Sequence, residues 1–143
     1  MLLDANLLLF AVYRGSPFHQ TARDWLAEQL NGDRRVGMPW QSLAAFLRLA
    51  TNSRVFEQPL DPATAWTSVQ AWLDSDLVWV PAPGARHREL LGGLIERYQL
   101  RGDLIPDALL AATAIEHGLE VCSADTDFAR FREVRWLNPL AGA

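Results

Sequence analysis

The 143-residue chain contains no lysine: all thirteen of its basic residues are arginine. Any mechanism that needs a lysine is therefore excluded. Nucleotide hydrolysis on a phosphate-binding loop goes on that ground, and no G-x-x-x-x-G-K-[ST] occurs. Haloacid-dehalogenase-like phosphatases and receiver domains, which also carry an Asp at the end of a first strand, depend on a lysine as well, so neither fits. The single cysteine, Cys122, cannot make an internal disulfide and reads as a small buried hydrophobe. No apolar run approaches the roughly 20 residues needed to span a bilayer, and the first residues lack the basic start and long apolar core of a signal peptide. These absences lead to the expectation of a cytoplasmic protein with no membrane association. Neither G-x-S-x-G nor an activated-cysteine pattern is present. His19, His87 and His117 fall on three different predicted helices and make no ligand pattern.

What is present describes one globular domain over residues 1–143. Half the chain is apolar, 21% is charged, and six of the aromatics are Trp. Arginine suits bidentate recognition of phosphates and stacks on bases. The net charge of −4 runs against the usual basic footprint of a nucleic-acid binder. Acids clustered around a metal ion are neutralised by that ion, however, so the balance argues only partly against such a role.

The hydrophobic periodicity predicts alternating strands and helices. Residues 1–3 form a short strand and 5–12 a helix. Ser16-Pro17 offers a cap and a proline start for a second helix, whose face carries Phe18, Ala22, Trp25, Leu26 and Leu30. A strand at 35–38 precedes a helix over 40–50. Asp61-Pro62 caps a further helix with Ala65, Trp66, Val69, Trp72 and Leu73 inward. After a strand at 77–80, a helix striped with Leu90, Leu91, Leu94, Ile95 and Tyr98 runs to a break at Gly102. Pro106 starts a nearly all-apolar helix over 107–117, and such a helix is buried. A strand at 119–122, a helical turn at 125–131 and an edge strand at 134–136 complete the chain. Strands separated by helices imply an α/β fold, a parallel sheet with helices on both faces.

Three acids stand out against this frame. In an open α/β sheet, ligands bind outside the carboxyl ends of the strands. Asp4 and Asp125 follow two predicted strands, and a helix N-terminus could deliver Asp107 between them. Each has a bland reading: Asp4 and Asp125 as helix caps, Asp107 as a carboxylate favoured by the helix dipole. Asp125 and Asp127 are not comfortably both caps, and Asp107 sits on a helix too apolar to lie anywhere but the core. Carboxylates converging at one rim repel each other unless a cation lies among them, and Mg²⁺ is held by one or two carboxylates with waters and phosphate oxygens. The three placements together point to a metal site and phosphoester chemistry.

The segments Met-Leu-Leu-Asp-Ala-Asn-Leu-Leu-Leu at 1–9, Pro-Asp-Ala-Leu-Leu-Ala-Ala-Thr-Ala at 106–114 and Ser-Ala-Asp-Thr-Asp-Phe-Ala-Arg-Phe at 123–131 resemble PIN-domain ribonucleases, most nearly VapC-type toxins of bacterial toxin–antitoxin pairs. The residues from Trp40 to Asn52 and the closing Arg-Trp-Leu-Asn-Pro-Leu at 135–140 resemble one branch of that family. The resemblance implies a three-layer α/β/α sandwich with a central parallel sheet, cleavage of RNA dependent on Mg²⁺ or Mn²⁺, a cognate VapB-type antitoxin that blocks the site, and a homodimer. By position, Asp4, Asp107 and Asp125 correspond to the acidic metal-site residues, Asp127 to a frequent accessory acid, and Ser123 to the small hydroxyl residue often found before them. One departure is Ala45, where many PIN domains carry a Glu. That loss, with the acidic net charge, keeps open a non-catalytic RNA- or protein-binding module as the alternative. Arg48, Arg130 and Arg132 are the arginines nearest the motifs in sequence.

Overall fold

The computed structural model describes residues 1–142; the last residue of the expected 1–143 domain lies outside the described residues. The elements are β1 (Leu2–Leu3), α1 (Ala5–Val12), α2 (His19–Leu30), β2 (Val36–Gly37), α3 (Trp40–Ala50), α4 (Pro62–Leu73), β3 (Val78–Trp79), α5 (His87–Tyr98), α6 (Leu104–His117), β4 (Val121–Cys122), a 3-10 turn (Thr126–Arg130) and β5 (Trp136–Leu137). The five strands pair in parallel in the order β3-β2-β1-β4-β5. Helices cover both faces, and the architecture is the expected three-layer sandwich.

Alternation along the strands sorts their side chains between two cores. Met1 and Leu3 pack with Val36, Met38 and Cys122 against Leu7, Leu43, Phe46 and Val69, on the face covered by α1 to α4. Leu2 and Val121 pack with Leu94, Ala108, Ala111 and Phe128, on the face covered by α5 and α6. The small Ala residues of α6 let that helix lie close against the sheet, and Ala108, Ala111, Ala112 and Ala114 are all fully buried.

Several boundaries differ from the periodicity reading, each for a local reason. The second helix starts at His19 rather than at Pro17, because Ser16 closes a turn instead: its Oγ accepts from the Phe18 N–H at 3.1 Å and its carbonyl from the His19 N–H at 3.1 Å. Asp61 caps α4 as expected, accepting from Ala63 N–H at 2.8 Å. Trp66, expected inward, is 42% exposed, because the buried stripe of α4 runs Ala65, Val69, Trp72 and leaves its neighbour pointing outward. Helix α5 ends at Gln99, which takes the left-handed conformation (φ 52°) three residues before the expected break at Gly102, itself left-handed (φ 55°). Helix α6 starts at Leu104, two residues before Pro106. Proline is tolerated there because first-turn N–H groups have no helical partner. The last strand sits at Trp136–Leu137 instead of 134–136, and Val134 turns into the core before it.

The chain leaves β1 toward β2 on one side, and β4 returns on the other side of β1. The sheet order therefore reverses between β1 and β4. Such a switch point is where open α/β sheets bind ligands, beyond the carboxyl ends of the strands. Asp4 and Ser123 are the residues immediately after those two strands.

Candidate metal centre

The hydrogen bond from Asp4 N–H to Cys122 carbonyl (3.0 Å) extends the β1–β4 pairing by one step and brings the two strand ends side by side. Beyond it, side chains take over. Asp4 caps α1, with Oδ1 accepting from Ala5 N–H at 2.8 Å. Its Oδ2 accepts from Ser123 Oγ at 2.7 Å and from Asn6 Nδ2 at 3.3 Å. Ser123, fully buried, also accepts from Asn6 Nδ2 (3.0 Å) and from Asp125 N–H (3.0 Å). Asn6 closes the ring by accepting from Ala124 N–H at 3.2 Å. Asp4 is thus both the cap of the bland reading and part of a polar lattice spanning 119 positions of sequence.

Asp125 caps the 3-10 turn by accepting from Asp127 N–H at 2.9 Å. That turn swings Asp127 to the same side. Asp107 arrives from the first turn of α6. Carboxylate oxygens of Asp107, Asp125 and Asp127 lie within 4.8 Å of one another, a spacing that one ion could bridge. Asp4 stands outside this trio but lines the same cleft as Asp107, a hollow of about 380 Å³ between the strand ends, α3 and α6. Its far wall carries Gln41, Ala45 and Arg48. Gln41 ties α3 to α6, its Nε2 donating to the Pro106 carbonyl at 2.6 Å, and Ser42 Oγ ties α3 to β1 by donating to the Leu3 carbonyl at 2.6 Å.

Charge in this cleft is poorly neutralised. Burial pushes the Asp107 carboxyl up to about 7, and the negative charges of Asp125, Asp4 and Asp127 add to the shift; only Arg130 opposes it. Asp4 is also raised by burial, but the Ser123 hydroxyl and Ala5 N–H pull the other way. Arg130 is engaged by Asp127, at 3.4 Å from its Oδ1. Hard oxygen donors, unmet negative charge and an open hollow fit a divalent cation. Cys122 is no alternative nucleophile: its buried thiol is pushed up to about 12.

All four sequence-predicted acids therefore gather at one rim. Asp127 takes a place in the trio itself, and Asp4 stands slightly apart. The role of Ser123 as the joint of the lattice was not readable from spacing, because its partners, Asp4 and Asn6, lie at the other end of the chain. The family resemblance was the signal that marked Ser123, as the small hydroxyl residue before the acids. Ala45, where a Glu was looked for, does line the cleft, so the structure offers no carboxylate from α3.

The match to the PIN domain model covers residues 1–134. The chain belongs to the PIN-domain family. Among PIN-domain relatives, the protein named Ribonuclease VapC31 of Mycobacterium tuberculosis is 46% identical over 139 residues, 96% of this chain and 97% of that one. Ribonuclease VapC33 of the same species is 41% identical over 137 residues, 96% of each chain. In fold, this PIN domain resembles VapBC2 from Rickettsia felis, solved bound to a promoter DNA fragment (TM-score 0.71, 15% identity, 96% of both chains). It also resembles the Mycobacterium tuberculosis toxin VapC20, described as cleaving the sarcin-ricin loop (TM-score 0.67, 23% identity, 94% of this chain and 98% of that one).

Proposed function

We propose that the protein is a Mg²⁺- or Mn²⁺-dependent endoribonuclease, the toxin of a toxin–antitoxin pair, with Asp4, Asp107, Asp125 and Asp127 forming its metal site. The observation that carries this reading is the meeting of Asp107, Asp125 and Asp127 at the switch point of the sheet, with Asp107 left in unrelieved negative charge. The names of the VapC relatives supply the substrate class, RNA. A divalent ion held there would supply Lewis-acid chemistry at the scissile phosphate and would acidify a water near neutral pH. The chain's own part is positional. Asp107, Asp125 and Asp127 would hold the ion, and Asp4, lining the same cleft as Asp107, is locked by Ser123 and Asn6. Arg48 on the opposite wall receives the phosphate, as a guanidinium fork does.

Control follows from the same charge. An acidic site open to solvent attracts a cationic side chain, and arginine matches carboxylates best. The partner is a small VapB-type antitoxin whose tail carries an Arg to the acids; the toxin–antitoxin complexes among the structural neighbours support this pairing. The working unit is a single PIN domain over residues 1–143, acting as a homodimer in the cytoplasm. No helix among the described residues is long and apolar enough to cross a membrane.

Ala45 on the cleft wall favours one second reading, a non-catalytic RNA-binding module. Incubation of single-stranded RNA with the protein separates the two. Cleavage that requires Mg²⁺ or Mn²⁺, stops with chelator and is inhibited by the product of the neighbouring gene is the expected result. Intact RNA under every metal condition, with binding retained in chelator, would establish the module instead.

A further inference from the structure

Beside the metal cleft lies a second hollow of about 270 Å³, lined by Trp40, Pro81, Pro83 and His87 together with Leu109 and Thr113. Gln41 and Leu109 line both hollows, so α3 and α6 divide an acidic space from a largely apolar one. Both open at the same rim of the sheet, since the N-termini of α3 and α5 follow the carboxyl ends of β2 and β3.

The apolar hollow has an unusual surface. Trp40 lies at the very start of α3 and is 51% exposed despite its size. His87 Nδ1 is buried with no hydrogen-bond partner. Thr113 Oγ1 is already committed to the Leu109 carbonyl at 3.1 Å, as Gln41 Nε2 is to Pro106. What remains is a broad aromatic face and one unmet ring nitrogen. That nitrogen is closed to solvent as the ring stands, so a ligand in the hollow meets it only when the imidazole turns, whereas the exposed face of Trp40 is available without rearrangement.

The walls are also fixed in place. Between β3 and α5, the Glu116 carboxylate accepts from Gly84 N–H at 2.8 Å and from Arg86 N–H at 2.9 Å. A ring nitrogen of His117, Nε2, bonds the Ala82 carbonyl at 2.8 Å. Glycine at 84 permits this close approach: a Cβ there would come within 2.7 Å of the Glu116 carboxylate and displace it. Helix α6 therefore carries Asp107 in its first turn, Leu109 and Thr113 in the hollow, and Glu116 and His117 as the pins of its outer wall. At 1.5 Å per residue, the acids and the hollow are separated by roughly 3–9 Å along that helix, a span that one nucleotide covers.

We infer that this hollow receives an unstacked nucleobase of the RNA strand, stacked on Trp40 with its polar edge toward His87, while the neighbouring phosphate lies at the acids. The inference rests on the ribonuclease reading and adds a base-binding subsite to it. A nucleobase combines an apolar face with a hydrogen-bonding edge, and single strands are held by such stacking on aromatic side chains.

The test measures binding of a fluorescent single-stranded RNA to the Asp107→Asn protein with Mg²⁺, which keeps the strand whole. One abasic nucleotide is stepped through otherwise identical strands. The expected profile is a loss of roughly 5- to 100-fold at one or two adjacent positions. Adding Trp40→Ala flattens the profile, and Trp40→Phe largely preserves it. A flat profile with Trp40 in place, or no binding, overturns the subsite. So does a change in particle mass on Trp40→Ala by light scattering, which would make the hollow an interface between copies. Cleavage by the unmutated protein is scored separately. A stepped profile without cleavage leaves the subsite standing and removes the ribonuclease reading; cleavage with a flat profile does the reverse.

Discussion

On the strand side of the cleft, polar atoms are committed to one another: Asp4 accepts from Ala5, Asn6 and Ser123, and Ser123 also holds Asn6 and the Asp125 backbone. Across from it, α6 presents Asp107 to the same cleft that Arg48 and Ala45 line from α3, and burial, with the charges of three acids added, pushes its carboxyl up to about 7. Both acids are desolvated, and both are raised by burial. They differ in what compensates. Asp4 has donors aimed at its oxygens, whereas Asp107 has mainly the repulsion of its neighbours. One wall is thus a scaffold that sets position, and the other stores electrostatic cost that a cation would relieve. A ligand site needs both, since a precise position without unmet charge binds nothing, and unmet charge without position binds loosely.

The comparison breaks most visibly at Asp107. Asp107→Asn is expected to lower RNA cleavage at least about 100-fold, since a metal contributes several kcal/mol to the transition state. Its fold should be as stable as the parent's at pH 8, or more so. Gel assays of cleavage and thermal melts check the two halves. Asp4→Asn should match it in activity and differ in stability, because an amide nitrogen would face the Ser123 and Asn6 donors at Oδ2. The two acids looked interchangeable as repelling carboxylates in the sequence; the lattice makes them unequal.

Ser123→Ala tests the scaffold alone. It removes the donor to Asp4 and the acceptor for Asn6 and Asp125 N–H, and should cost about 1–3 kcal/mol in a denaturant titration. Metal affinity or activity should fall roughly 10- to 100-fold, as when a ligand loses its supporting hydrogen bond. Unchanged metal affinity in a well-folded Ser123→Ala protein would show that the lattice does not orient the acids.

A smaller effect sharpens the contrast through pH. The folded-state pKa of Asp107 lies at about 7, above its ordinary 3.8. A group raised in this way contributes stability that is fully present below about pH 4 and is lost as pH rises through about 7. Metal-free protein should therefore lose stability across that window, and Asp107→Asn should show a shallower loss. Equal slopes in the two proteins would place the repulsion elsewhere.

Much of this was legible in the sequence because the signals were local. The apolar runs of β1 and β4, the Asp61-Pro62 cap of α4 and the small-residue face of α6 each fix their element with neighbouring residues alone. Asp4, Asp107 and Asp125 could be placed together because strand ends and helix starts in an α/β sheet share a rim. The remainder depends on tertiary contacts. Gln99 ends α5 in a conformation that glycine usually takes, and Trp66 is outward because only one stripe of α4 meets the core. Ser123 joins residues more than a hundred positions apart. His87 gained a place beside Trp40 only once α5, α3 and α6 were assembled; at the sequence level it was one of three unremarkable histidines.

Calorimetric titration of Mn²⁺ into the unmutated protein and Asp107→Asn at pH 8 tests the central claim most directly. Saturable binding to the parent, weakened at least about tenfold by loss of one ligand or its orientation, is the predicted result. Heats of dilution alone in the parent, or the same affinity in both proteins, would contradict a metal centre built on Asp107.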